Sequence, residues 1–471
     1  MTSLHPRLAR YQVVDVAVAG GGNAALVAAL EARSAGASVL VLERAPEAWR
    51  GGNTKYTRNI RCAHDGIDGS PPYTEDELLD DLARVTGDEL DQAMAVFTIS
   101  ESRAVPEWME AQGVRWQPAF RGTLALGHTN RFFLGGGKAL LNTYYRRAAA
   151  LGVEVVYDAA VAAIEPLAEG VQLRVNFSDG SAERLRARAL VVAAGGFEAN
   201  LEWLARYWGE AAANFLVRGA QQNDGQVLRA LIDLGAAERG NPRGFHAVAC
   251  DARSPRFEGG IVTRVDAIPF GIVVNQEGRR FYDEGEDIWP KRYAAWGRLI
   301  AEQPAQTAFA VFDDRVWGRF IPVAYPPLVA GSLAELAAQL PVPAPALEAT
   351  LAEYNRHVQE RPVDHGRLDG VRTAPGLLPP KSNWALPIDR PPFRAYPLRP
   401  GITFTYLGVA VDRAARVLDA GGQPLRGVFA AGEIMAGNIL RQGYLGGFGL
   451  TIGTVFGRIA GREAAAFART A

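Results

Sequence analysis

The sequence predicts an α/β fold in which a parallel sheet is interrupted by an inserted α+β domain. Three observations predict it. Residues 13–43 run through an apolar stretch, a glycine turn, a helical period and a second apolar stretch. The segment from Gly401 onward again places short apolar strands beside glycine-rich turns, and between the two, from about Gly240, the composition shifts toward aromatics, Arg and Pro.

At 471 residues the chain is long for one core and points to two or three domains. The reading is a nucleotide-binding domain whose first part is 1–240, a capping (substrate) domain at 241–372, a linker at 373–400 and the domain's second part at 401–471. A net charge of −1 and a pI near 6.6 give no field that would draw nucleic acid or an anionic membrane surface. Cys62 and Cys250 alone make no disulfide framework and no CxxC site, and the six histidines are scattered, so no metal centre is expected. The first residues are polar and no apolar run approaches the roughly 18 that cross a bilayer. The expected setting is the cytoplasm.

The first strand, 13–19, is apolar and β-branched, and Gly20-Gly21-Gly22-Asn23-Ala24-Ala25 follows it as G-x-G-x-x-A. Glycines there let the backbone turn tightly toward a pyrophosphate, and the helix at 26–34 points its partly positive N-terminus at the same anion. The second strand, 38–42, ends on Glu43 with Arg44 beside it, about twenty residues beyond the glycines, where an acid accepts from a ribose hydroxyl. Three glycines alone also make an ordinary loop. With strand, turn, helix, strand and acid in order, they read as a Rossmann-like dinucleotide site.

Gly51-Gly52-Asn53-Thr54 offers N–H groups and a hydroxyl to a phosphate or ring, and equally fits a surface turn; a basic stretch with Lys55, Arg58 and Arg61 follows. Residues 71–113 have a helical, charged pattern that suits a scaffold. Gly135-Gly136-Gly137-Lys138 lacks the spacing of a phosphate loop and is rejected as one. A strand is expected at 152–157, an antiparallel excursion over 161–177 turning at Ser178-Asp179-Gly180, and a strand at 189–194 running into Gly195. Asp224 reads as the N-cap of a helix at 227–234. Further strands are expected at 272–275 and 305–312, helices at 333–340 and 346–360, and the proline-rich 375–400 as an extended connection. Near the C-terminus, 427–433 reads as a strand ending on Glu433, and the turn before Leu450 opens a helix at 451–466.

Two glycine turns at helix N-termini, at opposite ends of the chain, suggest one long cofactor held from both sides, which favours FAD over a mobile nicotinamide. The residues expected against it are Gly20, Gly22, Asn23, Ala24, Glu43 and Arg44 from the first unit. Gly52, Asn53 and Thr54 come from the next turn, Ala194, Gly195 and Asp224 from the middle, and Glu433, Gly447, Gly449 and Leu450 from the end.

These pieces together resemble the flavoprotein family of fumarate reductase and succinate dehydrogenase. The marks are GGGNAA with Glu43, GGNT, the AAGGF strand end, NDGQ, VVNQEGRRFYDE, GVFAAGE and LGGFG with FGRIAGREAA, in the family's order over nearly the whole chain. Within the family, ERAPEAWRGGNTKYTRNIRC, FYDEGEDIWPKRYAAWGR and GFGLTIGTVFGRIAGR look most like the tricarballylate dehydrogenases. The resemblance implies FAD, oxidation of a small carboxylate substrate (tricarballylate to cis-aconitate), and electrons passed to a separate membrane-associated protein. No histidine follows the GGNT glycines where covalently flavinylated members carry one, which implies non-covalent FAD.

The resemblance also implies site residues. His246 falls at the substrate-binding histidine, Thr263 at the threonine that holds a carboxylate, and Arg292 at the proton-transferring arginine. Arg292 lies several residues further beyond Asp283-Glu284 than the usual spacing, and Lys291 is the neighbour that could replace it. The family's HHTMGG histidines appear here as Thr403-Phe404, and the arginine expected before LGG is Tyr444, with Arg441 three residues earlier. A remodelled site suits a different or larger acid.

The residue types fit that chemistry. Desaturation beside a carboxylate needs a hydride acceptor, a base and cations, and arginine clamps carboxylates bidentately. As a base, arginine would need a relay such as Asp287, because its pKa lies above about 12. Plainer readings stand beside these: His246 next to Phe245 as a core histidine, Thr263 as a strand threonine, Arg292 as a surface residue, and Arg279 and Arg280 as salt-bridge partners of Asp283 and Glu284. Two other functions suit the same scaffold. One is a ketosteroid-type dehydrogenase or cobalamin-pathway flavoprotein, the other a flavin electron-transfer subunit of a complex.

Overall fold

The computed structural model describes residues 7–67, 69–87, 89–118, 126–288 and 292–470. Its larger sheet runs Arg416–Leu418, Pro424–Ala430, Ala182–Val192, Val14–Ala19, Val39–Leu42 and Glu154–Val156, all parallel apart from the first strand at the edge. All of Val39–Leu42 and all of Val14–Ala19 except Asp15 are buried, as a parallel sheet covered on both faces requires.

Ala182–Val192 belongs to both a parallel and an antiparallel part of the sheet. Its second half lies parallel to Val14–Ala19, and its first half closes an antiparallel excursion with Val171–Phe177 and Ala159–Pro166. The turn from Val171–Phe177 into Ala182–Val192 forms at Asp179, whose carboxylate accepts from the Ser181 N–H at 2.9 Å.

One face of this sheet is covered by two packed helices, Asn23–Ser34 and Phe448–Ala468. Both begin earlier than their apolar periods suggest, directly after the glycine turns. Gly453, Gly457 and Gly461 recur about once per turn and let the helices touch backbone to backbone. A Cβ at Gly457 would lie 2.8 Å from the Ala24 carbonyl oxygen, and one at Gly461 2.3 Å from that of Ala28. The helical tract at 71–113 comprises Glu75–Thr86, Gln92–Ser102 and Val105–Ala111. Thr74 caps the first, its hydroxyl accepting from the Glu77 N–H at 3.1 Å.

The second sheet is built on Phe393–Thr405. This strand pairs antiparallel with Phe245–Asp251, Ala308–Phe312 and Leu328–Ala330, and parallel with Leu216–Val217; Ile272–Asn275 extends the sheet beyond Ala308–Phe312. The expected linker is therefore corrected over its last residues. Prolines 397 and 400 each withhold one N–H donor, but their neighbours Phe393, Ala395, Tyr396 and Leu398 are buried, and the Pro397 carbonyl still accepts from the Ala252 N–H. Among the described residues no helix is long and apolar enough to cross a membrane.

Candidate active site

A long cavity, partly open to solvent, runs along the strand ends of the larger sheet and on toward the second sheet. All the residues expected against the cofactor line it, from Gly20 and Glu43 through Asn53, Ala194 and Asp224 to Glu433 and Leu450.

Gly20 turns the chain at φ +114°, and a Cβ there would sit 2.3 Å from the Ala193 carbonyl oxygen, so glycine is dictated by the approach of two strand ends. Among the described residues the Gly21 and Gly22 N–H groups meet no protein acceptor. They stand at the N-terminus of the first helix, where a pyrophosphate would satisfy them. Asn23 ties the two helix starts together: its N–H donates to the Thr54 hydroxyl at 3.0 Å and its amide to the Thr454 hydroxyl at 2.9 Å. Glu43 is buried; its carboxylate accepts from the Ala45 and Gly51 N–H groups at 2.8 and 3.2 Å, while burial pushes its pKa up. Asp224 is not the N-cap. Its helix begins at Gln226 after Gly225, and its carboxylate pairs with the Arg44 guanidinium.

At the other end the wall changes character. Arg58, Arg218 and Arg264 converge there with His246, Tyr293 and Tyr444. Arg264 pairs with Asp266 at 2.7 Å and lies over the Tyr293 ring. The Arg218 guanidinium donates to the Thr403 hydroxyl at 3.0 Å. Neither Arg58 nor Arg218 forms an ion pair with an acid among the described residues, and Asp266 is the partner of Arg264. Burial, with Arg264 close by, pushes Arg58 down to about 10, and burial lowers Arg218 as well. Arg264, despite its burial, is held up by Asp266.

His246 stacks on Tyr444 with ring centroids 3.8 Å apart and planes 14° from parallel. Its Nδ1 is buried without a partner among the described residues, and burial together with Arg218 and Arg264 keeps the imidazole neutral. The Tyr444 hydroxyl accepts from the Gly449 N–H at 3.1 Å, and burial keeps the phenol protonated.

Three expected site residues lie off this wall. Arg292 donates to Glu286 at 2.6 Å and to the Tyr282 hydroxyl at 2.7 Å. The Thr263 hydroxyl donates to the Gly260 carbonyl at 2.9 Å. Arg441 packs its own carbonyl against Gly244. Asp287 pairs with Arg84 at 3.1 Å, and Lys291 lies outside the described residues. Arg280 takes the structural role, donating to Glu284 at 3.0 Å beside Ile272–Asn275 of the second sheet. The arginines on the wall carried only weak signals in the sequence: Arg58 in a basic stretch, Arg264 next to Thr263, and none at Arg218.

The fold and this cavity define a flavoprotein. The chain belongs to the family described as FAD binding domain, which matches residues 15–450, and FAD is its cofactor. Fumarate reductases are among the proteins it is similar to. The NADH:fumarate oxidoreductase of Klebsiella pneumoniae (strain 342) is 28% identical over 480 residues, covering 97% of this chain and 48% of that protein. This chain thus spans about half of that relative's length. Among solved structures, an open conformation of a flavocytochrome c3 fumarate reductase superposes with a TM-score of 0.75 at 22% identity, over 97% of this chain and 78% of that one. The 3-ketosteroid-Δ4-(5α)-dehydrogenase of Rhodococcus jostii RHA1 gives 0.72 at 24% identity, over 98% of each chain. At these identities the structural likenesses show the shared fold.

Proposed function

We propose that this FAD-dependent oxidoreductase acts on a CH–CH bond beside a carboxylate of a small polycarboxylic acid, with tricarballylate, oxidised to cis-aconitate, as the particular substrate. The observation that carries the reading is the cluster of Arg58, Arg218 and Arg264 on one cavity wall, with Asp266 as the acid paired to it. Buried guanidiniums lacking counter-charge are costly, and an acid with two or more carboxylates supplies that charge. The same cost weighs against a steroid, whose apolar body would leave these cations unpaired, despite the likeness to a ketosteroid dehydrogenase.

Bound FAD supplies the two-electron acceptor. The arginines bind and orient the carboxylates, and by polarising them they acidify the adjacent C–H. His246, on the same wall, takes the proton. It is a weak base while two guanidiniums face it, and it strengthens once substrate carboxylates neutralise them, so its basicity is linked to occupancy of the site. The stack on Tyr444 fixes the ring plane, and Phe404 and Ile261 close the wall against water.

FAD is held non-covalently in this reading. His246 is the histidine on the cavity wall, and it lies at the arginine-rich end with its ring stacked on Tyr444. The two cysteines are too few for the four thiolates of an iron–sulfur cluster, and the family resemblance supports a separate, membrane-associated electron acceptor. Cys62 and Cys250 are free thiols, as in a reducing cytoplasm.

The test is an anaerobic visible spectrum of the purified holoprotein with tricarballylate, succinate or a 3-ketosteroid. Bleaching of the flavin bands by tricarballylate alone is expected. A flavin bleached by the steroid and untouched by either acid would overturn the assignment.

A further inference from the structure

We propose that Glu198 and Glu433 form a proton-sharing carboxyl pair in the wall of the FAD cavity, and that the pair takes up a second proton when the bound cofactor is reduced. Glu433 lies on the wall, while Glu198 stands behind it, wholly buried. One Glu198 oxygen accepts from the Asn53 and Asn223 amides at 2.6 and 2.7 Å. Its other oxygen is buried and meets no hydrogen-bond partner among the described residues, and the Asn53 amide that serves the first oxygen also reaches the Glu433 carboxyl. Glu433 accepts from the Thr405 N–H at 2.9 Å, the Thr405 hydroxyl at 3.3 Å and the Asn53 amide at 3.4 Å.

Every one of these donors is neutral. Among the described residues no Lys, Arg or His pairs with either acid, and the other ionisable groups that face Glu433 are the Tyr406 and Tyr444 phenols, which burial keeps protonated. Nor is there room for a counter-ion on the Gly196 side, where even a Cβ would lie 2.2 Å from the Thr405 hydroxyl oxygen and 2.3 Å from Glu433 Oε1. Two carboxyls that share the Asn53 amide, out of water and with no cation beside them among the described residues, cannot both ionise, so the pair carries one proton and one negative charge.

That remaining charge is the basis of the redox link. Reduction adds negative charge to the cofactor in the same cavity. Like charge raises the proton affinity of an acid, so the pair draws a proton from solvent. In a reductive titration the reductant supplies two electrons, one proton goes to the cofactor and a second to the carboxyl pair. Glu198 acts through Glu433 and is a positioning residue.

The experiment is the midpoint potential of the holoprotein against pH, by dye-equilibrated reduction with dithionite, for wild type and Glu198→Gln. It uses no organic acid, so its outcome is independent of the substrate assignment. Wild type is expected to take up two protons per electron pair at weakly acidic to neutral pH. Glu198→Gln is expected to take up one, which halves the slope. The infrared difference spectrum of reduced minus oxidised wild type should gain a protonated-carboxyl band that shifts in D2O, and that of the variant should not. Equal slopes, or no such band, would overturn the proposal. Should the variant fail to hold FAD, wild type decides alone, because one proton per electron pair throughout would be fatal to it.

Discussion

Arg218→Met is expected to weaken substrate binding without weakening the protein. Methionine keeps much of the volume of the arginine stem and removes a buried cation that has no acidic partner among the described residues. What folding loses is one charge-assisted hydrogen bond to the Thr403 hydroxyl, worth about 1.5–3 kcal/mol, against a desolvation cost of at least similar size that disappears with the charge. The melting temperature should therefore hold or rise. Binding loses one charge-assisted contact to a carboxylate, about 1.5–3 kcal/mol, which corresponds to a dissociation constant roughly 10- to 150-fold weaker. The assay is a titration of the flavin spectrum with tricarballylate or a non-reacting tricarboxylate, with flavin content and melting temperature measured on the same sample. A variant that melts several degrees lower and binds the acid as tightly as wild type would refute the reasoning. Arg218 would then be part of the scaffold.

Other substitutions separate the wall from its surroundings. Arg292→Ala breaks a partly exposed pair with Glu286 and should cost at most about 1 kcal/mol of stability and leave kcat unchanged; a hundredfold loss of kcat would return Arg292 to the site. Gly461→Ala drives a methyl to 2.3 Å from the Ala28 carbonyl oxygen, so the helix pair must open, at a cost of about 1–3 kcal/mol read as a lower melting temperature. Acid precipitation of the holoprotein should leave all the flavin in the supernatant, whereas a yellow pellet would establish a covalent link.

The cofactor half of the cavity was legible because its residues are adjacent in sequence and their reasons are local. Gly20 must turn where two strands end, and Glu43 follows a short apolar strand at a fixed distance. The substrate half was not, because Arg58, Arg218 and Arg264 come from three separate segments and only the packing of the second sheet brings them together. Arg292 shows the converse. It sits in a stretch with strong family resemblance, yet Glu286, six residues earlier, is the nearer charge and takes its guanidinium. Phe393–Thr405 was hidden by its prolines, since a central strand rarely tolerates them and the pairing that rescues it is contributed by residues far away in the chain. Glu198 gave no sign of its role, because a lone acid after GGF acquires a partner only when Glu433 arrives from the C-terminal segment.

Phe393–Thr405 has a consequence for how specificity in this enzyme can change. Its last residues present Thr403 to Arg218 by the side chain and to Asn53 by the carbonyl, and Thr405 to Glu433. Substrate wall and cofactor wall are thus two sides of one short length of backbone. An insertion or deletion between Leu398 and Thr403 would move both at once, and a variant selected for a new acid would arrive with its cofactor contacts displaced. Divergence toward other substrates is channelled to residues that leave this backbone in place, His246, Ile261, Tyr293 and Tyr444. Those are the positions at which to diversify the enzyme by directed evolution.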